Sequence, residues 1–238
     1  MTKNHRRLLF ALGFLIVLGL GFSHLLTTPN PVSAFASGPP PSRTGAPGES
    51  TCLSCHTTFP LDDPSGGVQL DGLPESYVPG EPIDFTVTVF QDGTEGIRID
   101  WGFQLTVLDA NNIFAGTLVA SDETNTRVIM GQIGGDTRFY IEQTIAGIFF
   151  NPEGAPMATW TVTWVPPDED VGPVTFYVAG NAANGNFSPE GDYIFTGSQT
   201  VLGPGSNAAS SALPSSGRER PVGRRDKRAR ALQLARAR

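Results

Sequence analysis

An all-β fold is predicted by three features of residues 68–202. Apolar and polar residues alternate with a period of two, most clearly at residues 158–165 (ATWTVTWV), where tryptophan and valine share one face and threonine forms the other. Turn-forming pairs such as Pro-Gly, Asp-Gly and Asn-Gly separate the runs, and no apolar pattern of three helical turns interrupts them. About eight short strands in about 135 residues indicate one antiparallel β-sandwich of immunoglobulin-like type.

The predicted strands extend over this whole domain, and their large aromatic residues are expected to fill its core. At alternating strand positions, Trp101, Phe103, Trp160, Trp164 and Phe176 are far more often core residues than ligand contacts. The predicted strands lie at residues 83–90, 101–108, 113–120, 126–130, 138–144, 158–165, 173–179 and 193–201.

The chain starts with a segment, residues 1–36, that has the order of a secretory signal peptide. Three basic residues precede an apolar run of thirteen residues, and an Ala-Phe-Ala sequence then ends at Ala36. The run is short for a membrane span, which needs about 20 apolar residues. We therefore expect export to the periplasm, the cell surface or the medium, with an N-terminal membrane anchor as the alternative if the segment is retained.

Residues 37–67 contain a leader rich in proline and glycine and the motif on which the functional prediction depends. The leader, SGPPPSRTGAPG, is expected to be extended and to lack a core of its own. A C-x-x-C-H sequence follows it and holds both cysteines of the chain. Cysteines at this spacing attach haem c covalently, and the histidine after them ligates the iron. We therefore predict one haem c, with Cys52 and Cys55 as its anchors and His56 as the proximal ligand.

Three other interpretations of the motif remain open. The two thiols can form a disulfide, although no βαβ pattern of a thioredoxin-like fold accompanies them. Zinc is disfavoured because the motif provides only three of the four ligands of a tetrahedral site. The motif can also be an inert remnant. If haem is present, the nearby Leu53, Phe59 and Leu61 cannot cover it alone, so we expect the haem to pack against the sandwich.

The histidine count limits the chemistry of the exported chain. His56 is its only histidine once the signal is removed, so a three-histidine metal centre is excluded, as is a Ser-His-Asp hydrolase that does not use His56. The sixth iron ligand is then predicted to be Met130 or Met157, each with core or loop packing as the alternative. A histidine of another molecule, a tail lysine, the mature N-terminal amine or an empty position remain as further alternatives.

The charge distribution divides the chain into an acidic body and a basic end. Residues 37–217 contain four arginines, no lysine and 21 acidic residues, a net charge of −17. Such a surface repels nucleic acid. Residues 203–238 form a predicted disordered linker and a tail with nine basic residues, for which an anionic envelope polymer is the candidate partner and a solvated tail without a role is the alternative.

Six phrases lie in order between residues 37 and 200: GPPPSRTGAPGESTCLSCH, WGFQLTVLD, AGTL, YIEQTIAG, WTVTWVPP and GPVTFYVAGNAANGNFSPEGDYIFT. Together they resemble the bacterial choice-of-anchor V domain, a relative of the reeler or reelin-like β-sandwich. The resemblance implies an exported, surface-associated, immunoglobulin-like domain preceded by a C-x-x-C-H site, and it carries Cys52 and Cys55 over as haem attachment positions and His56 as the axial ligand.

The chain departs from the family pattern at two places. Gln143 stands where relatives often have a histidine, and an arginine-rich tail replaces the usual anchoring signal. Taken together, the sequence predicts an exported monohaem c-type cytochrome-like protein that transfers single electrons to an unidentified redox partner, rather than an enzyme. The alternatives are a non-catalytic surface or adhesion module with a disulfide at the motif, and an open-face haem protein with peroxidase-like or small-ligand-binding activity.

Overall fold

Two antiparallel sheets form the body of the protein in a computed structural model, which describes residues 35–92 and 97–205. Within those residues, nine strands lie in a four-stranded sheet of order β1-β2-β7-β4 and a five-stranded sheet of order β5-β6-β3-β8-β9. The two sheets pack face to face around one apolar core. The predicted all-β sandwich is therefore confirmed. The strands are β1 (Gly66–Asp71), β2 (Ile83–Gln91), β3 (Asp100–Asp109), β4 (Thr117–Val119), β5 (Thr126–Ile133), β6 (Asp136–Gln143), β7 (Met157–Val165), β8 (Val174–Ala183) and β9 (Tyr193–Val201).

The apolar and polar residues that alternate in the sequence lie on opposite faces of the strands, the apolar residues in the core and the polar residues at the surface. On β7, Trp160, Val162 and Trp164 are buried, while Thr159 and Thr161 are exposed on the opposite face. A fully buried side chain of this size contributes about 1.5–3 kcal/mol through the removal of apolar surface from water. The five aromatic residues predicted as core residues are all buried: Trp101, Phe103, Trp160, Trp164 and Phe176.

Two predictions differ most from the structure, and the ends of other strands, such as β5 and β8, shift by up to about four residues. Strand β1 was not predicted, because its sequence GGVQLD has little apolar alternation and its side chains are partly buried or exposed. It pairs with β2 along its whole length and begins at Gly66, shortly before the predicted start of the domain at Val68. The predicted strand at residues 113–120 is shorter in the structure. Only Thr117–Val119 pairs there, with β7, while Phe114 makes a single bridge to Leu108.

The proline- and glycine-rich leader packs on the outer face of the five-stranded sheet. We call residues 38–50 the N-terminal segment. It covers the polar side chains that β3 and β6 direct away from the core, and it contacts them through hydrogen bonds: the Arg43 N–H donates to Gln104 Oε1 at 2.7 Å, and Arg138 donates to Glu49 Oε1 at 2.7 Å. Polar contacts with the sheet therefore hold this segment in place.

Several predictions concern residues that the structure does not describe. The predicted signal peptide lies outside the described residues up to residue 34, and the basic tail lies outside them from residue 206 onward. In the part of the chain that is described, no helix is both long enough and apolar enough to cross a membrane.

Candidate functional site

A cleft lies on the outer face of the five-stranded sheet, at the end where β3 begins and β8 ends. The C-x-x-C-H motif and the N-terminal segment form one wall, and the loop between β8 and β9 forms another. Its volume is about 910 Å³, which includes the part open to solvent. Cys52, Cys55 and His56 all line this cleft, so the structure brings the three predicted site residues together at one concave surface.

A short 3₁₀ helix, Cys52–Ser54, places the motif on the cleft wall. Thr51 caps it, because its hydroxyl oxygen accepts a hydrogen bond from the Leu53 N–H at 3.2 Å. The carbonyl oxygen of Cys52 then accepts from the N–H groups of both Cys55 and His56, each at 3.1 Å. This single turn brings all three site residues to the same side of the chain.

The two cysteines differ in environment, and both are free thiols. Cys52 is buried with Leu53, Ala179 and Ile194, and its Sγ lies 3.9 Å from the carbonyl oxygen of Arg43. Burial raises the pKa of the Cys52 thiol to about 12. Cys55 is only partly buried. The Cys52 sulfur is thus held as a neutral thiol against the sheet, whereas Cys55 is more accessible.

The ring of His56 is oriented by a carboxylate from the other end of the sequence. Its Nδ1 lies 2.8 Å from Asp192 Oδ2, and both side chains are largely buried. The second oxygen, Asp192 Oδ1, accepts a hydrogen bond from the Asn184 N–H at 3.0 Å. Sequence reasoning missed Asp192, because an acidic residue just before a strand carries no signal of a partner 136 positions away.

On the strands that line the cleft, three buried polar atoms have no hydrogen-bond partner within the described protein: Asp100 Oδ1, Trp101 Nε1 and Asn181 Oδ1. Burial, with a smaller effect of the Asp192 charge, raises the pKa of the Asp100 carboxyl. Buried polar groups are normally paired in folded proteins, so these atoms have room for partners supplied by water or by a ligand. They lie at the start of β3 and the end of β8, which are paired neighbours in the sheet.

Apolar side chains complete the walls of the cleft. Phe103 and Ile148 line its inner part, and Phe35 and Phe187 line it with exposed side chains, 53% and 85% accessible to solvent. Phe187 also has a positive φ of 59°, an unusual backbone conformation for a bulky residue. Aromatic and aliphatic walls of this kind suit a planar apolar group.

The apolar residues expected to cover a haem lie elsewhere. Phe59 stacks on Tyr193 with ring centroids 3.9 Å apart, and Leu53 packs with Cys52 against the sheet. Neither they nor Leu61 line the cleft. Phe59 and Leu53 instead hold the motif segment to the sandwich, while Leu61 is exposed.

The predicted sixth ligands do not lie in the cleft. Met130 on β5 and Met157 on β7 are 61% and 52% exposed, and neither lines the cleft that contains His56. Gln143 does line it, although it is buried, and its Oε1 accepts the Phe103 N–H at 2.8 Å. A Cβ on Gly102 would lie 2.8 Å from Gln143 Nε2, so the glycine makes room for this amide.

The donor set of the cleft fits haem c better than a zinc ion. Two cysteines and one histidine at haem-attachment spacing share one wall, and apolar and polar groups line the rest. Among the described residues, no group of three or more histidine, cysteine and acidic side chains is arranged to hold a metal ion by itself. The zinc alternative therefore gains no support from the geometry.

Comparison with known proteins gives similarity to solved structures only. No family model and no curated protein matches this chain, so the choice-of-anchor V assignment stays a prediction. The reeler domain of human F-spondin is 17% identical and covers 60% of this chain and 92% of its own, with a TM-score of 0.37. A cohesin module from Clostridium perfringens is 9% identical, covers 58% of this chain and 96% of its own, and has a TM-score of 0.37. AggA, the major subunit of an aggregative adherence fimbria of Escherichia coli, is 15% identical, covers 61% and 97%, and has a TM-score of 0.30.

Proposed function

We propose that this protein is an exported β-sandwich that carries one haem c in the cleft and transfers single electrons. The observation that supports this most strongly is the position of the motif: Cys52, Cys55 and His56 line one concave site, and the His56 ring is already oriented there by Asp192. Cys52 and Cys55 would hold the porphyrin as thioethers, and His56 would ligate the iron. When bound, haem c supplies an iron that alternates between the ferrous and ferric states by gaining or losing one electron.

The protein's own groups would orient the histidine ligand, exclude water from the haem and attract a redox partner. Asp192 Oδ2, 2.8 Å from His56 Nδ1, would accept a proton from that nitrogen and would leave Nε2 as the nitrogen that binds iron. Phe103, Ile148 and the aromatic residues at the mouth would keep water from the porphyrin faces. Acidic surface charge would favour a basic redox partner, because opposite charges accelerate encounter.

An absorption spectrum with a pyridine haemochrome assay tests the proposal. The full chain is exported from a host with a cytochrome c maturation system, beside the double variant Cys52→Ala, Cys55→Ala. We expect a Soret band in the native protein that survives denaturation and acid-acetone extraction, and no covalently retained haem in the variant. A colourless native protein, in a host that matures a control cytochrome, contradicts the proposal.

The second candidate is a non-catalytic surface or adhesion module whose cleft binds part of a protein or glycan. It is favoured by the exposed aromatic mouth of the cleft, since Phe187 and Phe35 present large apolar surfaces to solvent beside unpartnered polar atoms. The colourless outcome of the haemochrome assay would select this candidate.

A further inference from the structure

The contact between His56 and Asp192 leads to an inference about how the proposed haem site is tuned. We infer that Asp192 is a positioning residue that selects Nε2 of His56 as the iron-binding nitrogen and lowers the reduction potential of the site. The inference rests on the proposed function for its redox part. Its structural part concerns only His56 and Asp192, and can be tested without haem.

The geometry fixes the carboxylate before any ligand arrives. Asp192 lies in the loop between β8 and β9, directly before Tyr193, and its two oxygens have partners on different elements. Oδ1 accepts from the backbone of Asn184 at 3.0 Å, and Oδ2 lies 2.8 Å from His56 Nδ1. Because Asp192 is almost fully buried, it has little freedom to turn away, and the imidazole ring is held with Nδ1 toward it.

The charge of the carboxylate gives this contact a chemical consequence. An ionised carboxylate only accepts hydrogen bonds, so the shared proton belongs to His56 Nδ1 and Nε2 is left as the electron-pair donor. A carboxylate partner makes a metal-bound histidine a more basic ligand. A more basic ligand favours the more positively charged ferric iron, and it therefore lowers the reduction potential.

The first test is the tautomer of His56 in the apoprotein. The full chain is produced without haem maturation and with reduced thiols, and long-range ¹H–¹⁵N correlation spectra are recorded at alkaline pH, where imidazole rings are neutral. His56→Gln identifies the signals of this ring. We expect Nδ1 to carry the proton in the native protein, and the preference to be lost in Asp192→Ala. A native ring protonated mainly at Nε2 overturns the inference.

The second test is the reduction potential of the haem-loaded protein. Asp192→Asn removes the charge and keeps the size of the side chain, and Glu190→Gln is the matched control, because it removes an exposed charge two residues away. We expect Asp192→Asn to raise the potential by at least 59 mV, a tenfold change in a one-electron equilibrium constant, and Glu190→Gln to change it much less. Equal shifts in the two variants overturn the inference.

The two experiments separate failure of the inference from failure of the haem proposal. If the native protein takes up no haem, the proposed function fails, and the redox part of the inference fails with it, while the tautomer measurement still decides whether Asp192 positions His56. If the native protein holds haem but Asp192→Asn has the native potential, the proposed function stands and the inference is wrong. If Asp192→Asn does not fold, the tautomer of the native protein decides.

Discussion

Replacing Glu49 tests whether the N-terminal segment is held by a buried ion pair. Glu49 Oε1 accepts from Arg138 at 2.7 Å and from the Tyr140 hydroxyl at 2.9 Å, and Oε2 accepts from the Thr44 hydroxyl at 2.6 Å. The side chains of Glu49 and Arg138 are 0% and 4% exposed. Glu49→Ala would therefore leave a buried guanidinium without its counter-charge and two hydroxyl groups without their acceptor.

The expected cost follows from the burial of the pair. Removing one partner of a buried salt bridge destabilises a protein by about 3–5 kcal/mol, because the remaining charge is uncompensated. With a urea m-value of about 2 kcal/mol per M, a loss of about 4 kcal/mol lowers the unfolding midpoint by about 2 M. Urea titration followed by tryptophan fluorescence measures this shift. Glu190→Gln, an exposed change, should stay within about 0.5 kcal/mol of the native protein.

A double-mutant cycle shows whether the cost belongs to the pair. Arg138→Ala should cost about as much as Glu49→Ala, and the double variant should cost less than the sum of the two, because no buried charge is then left alone. A midpoint for Glu49→Ala within about 0.5 M of native, or additive costs in the double variant, would mean that this ion pair does not hold the segment to the sheet.

Three further predictions concern the cysteines and the methionines. Burial raises the pKa of the Cys52 thiol from 9.0 to about 12, so the fraction of Cys52 present as thiolate at neutral pH falls about a thousandfold. Maleimide should therefore label Cys55 of the apoprotein before Cys52, and mass spectrometry measures the order. The unfolded chain loses the Cys52 proton at a lower pH than the folded chain, so the contribution of Cys52 to stability is complete below pH 9 and is lost as the pH rises towards 12. In a pH series of urea titrations, Cys52→Ala should remove that part of the alkaline loss of stability. An identical pH dependence in both proteins would refute this prediction. Met130→Leu and Met157→Leu should leave the visible spectrum of the haem-loaded protein unchanged, because both side chains are exposed and outside the cleft, whereas loss of a methionine-to-iron band in either variant would make that residue a ligand.

The sheet core was predictable because alternation acts locally. Along β7, the polarity of each residue predicts which face of the sheet it lies on, and the apolar residues Trp160, Val162 and Trp164 are indeed buried. Strand β1 had no such pattern. Its pairing with β2 comes from the backbone and from a partly covered position at the sheet edge, and neither leaves a clear trace in side-chain type.

The cleft was only half predictable, for a related reason. The motif at residues 52–56 is a local pattern, so the haem prediction could be made from spacing alone and remains a prediction. Its surroundings come from distant positions: Asp192 and Asn181 meet it only because β8 and β9 fold beside the N-terminal segment. For the same reason, the sequence could name Met130 and Met157 as residues able to bind iron but could not place them in the fold.

The outer face of the five-stranded sheet connects the stability of the N-terminal segment to the position of the motif. The Arg43 N–H is held by Gln104, and Thr44 and Thr51 form a bridge that turns the chain back to Cys52. Polar contacts with the sheet therefore fix the first cysteine before any ligand binds, which reduces the ordering cost of binding. On this reasoning, replacing Glu49 should lower both the stability of the protein and the fraction of chains to which haem becomes attached, whereas replacing Asp192 should mainly change the electronic properties of His56. Two separate sets of contacts would thus prepare the site: those of the N-terminal segment position the sulfur of Cys52, and that of Asp192 orients the ring of His56.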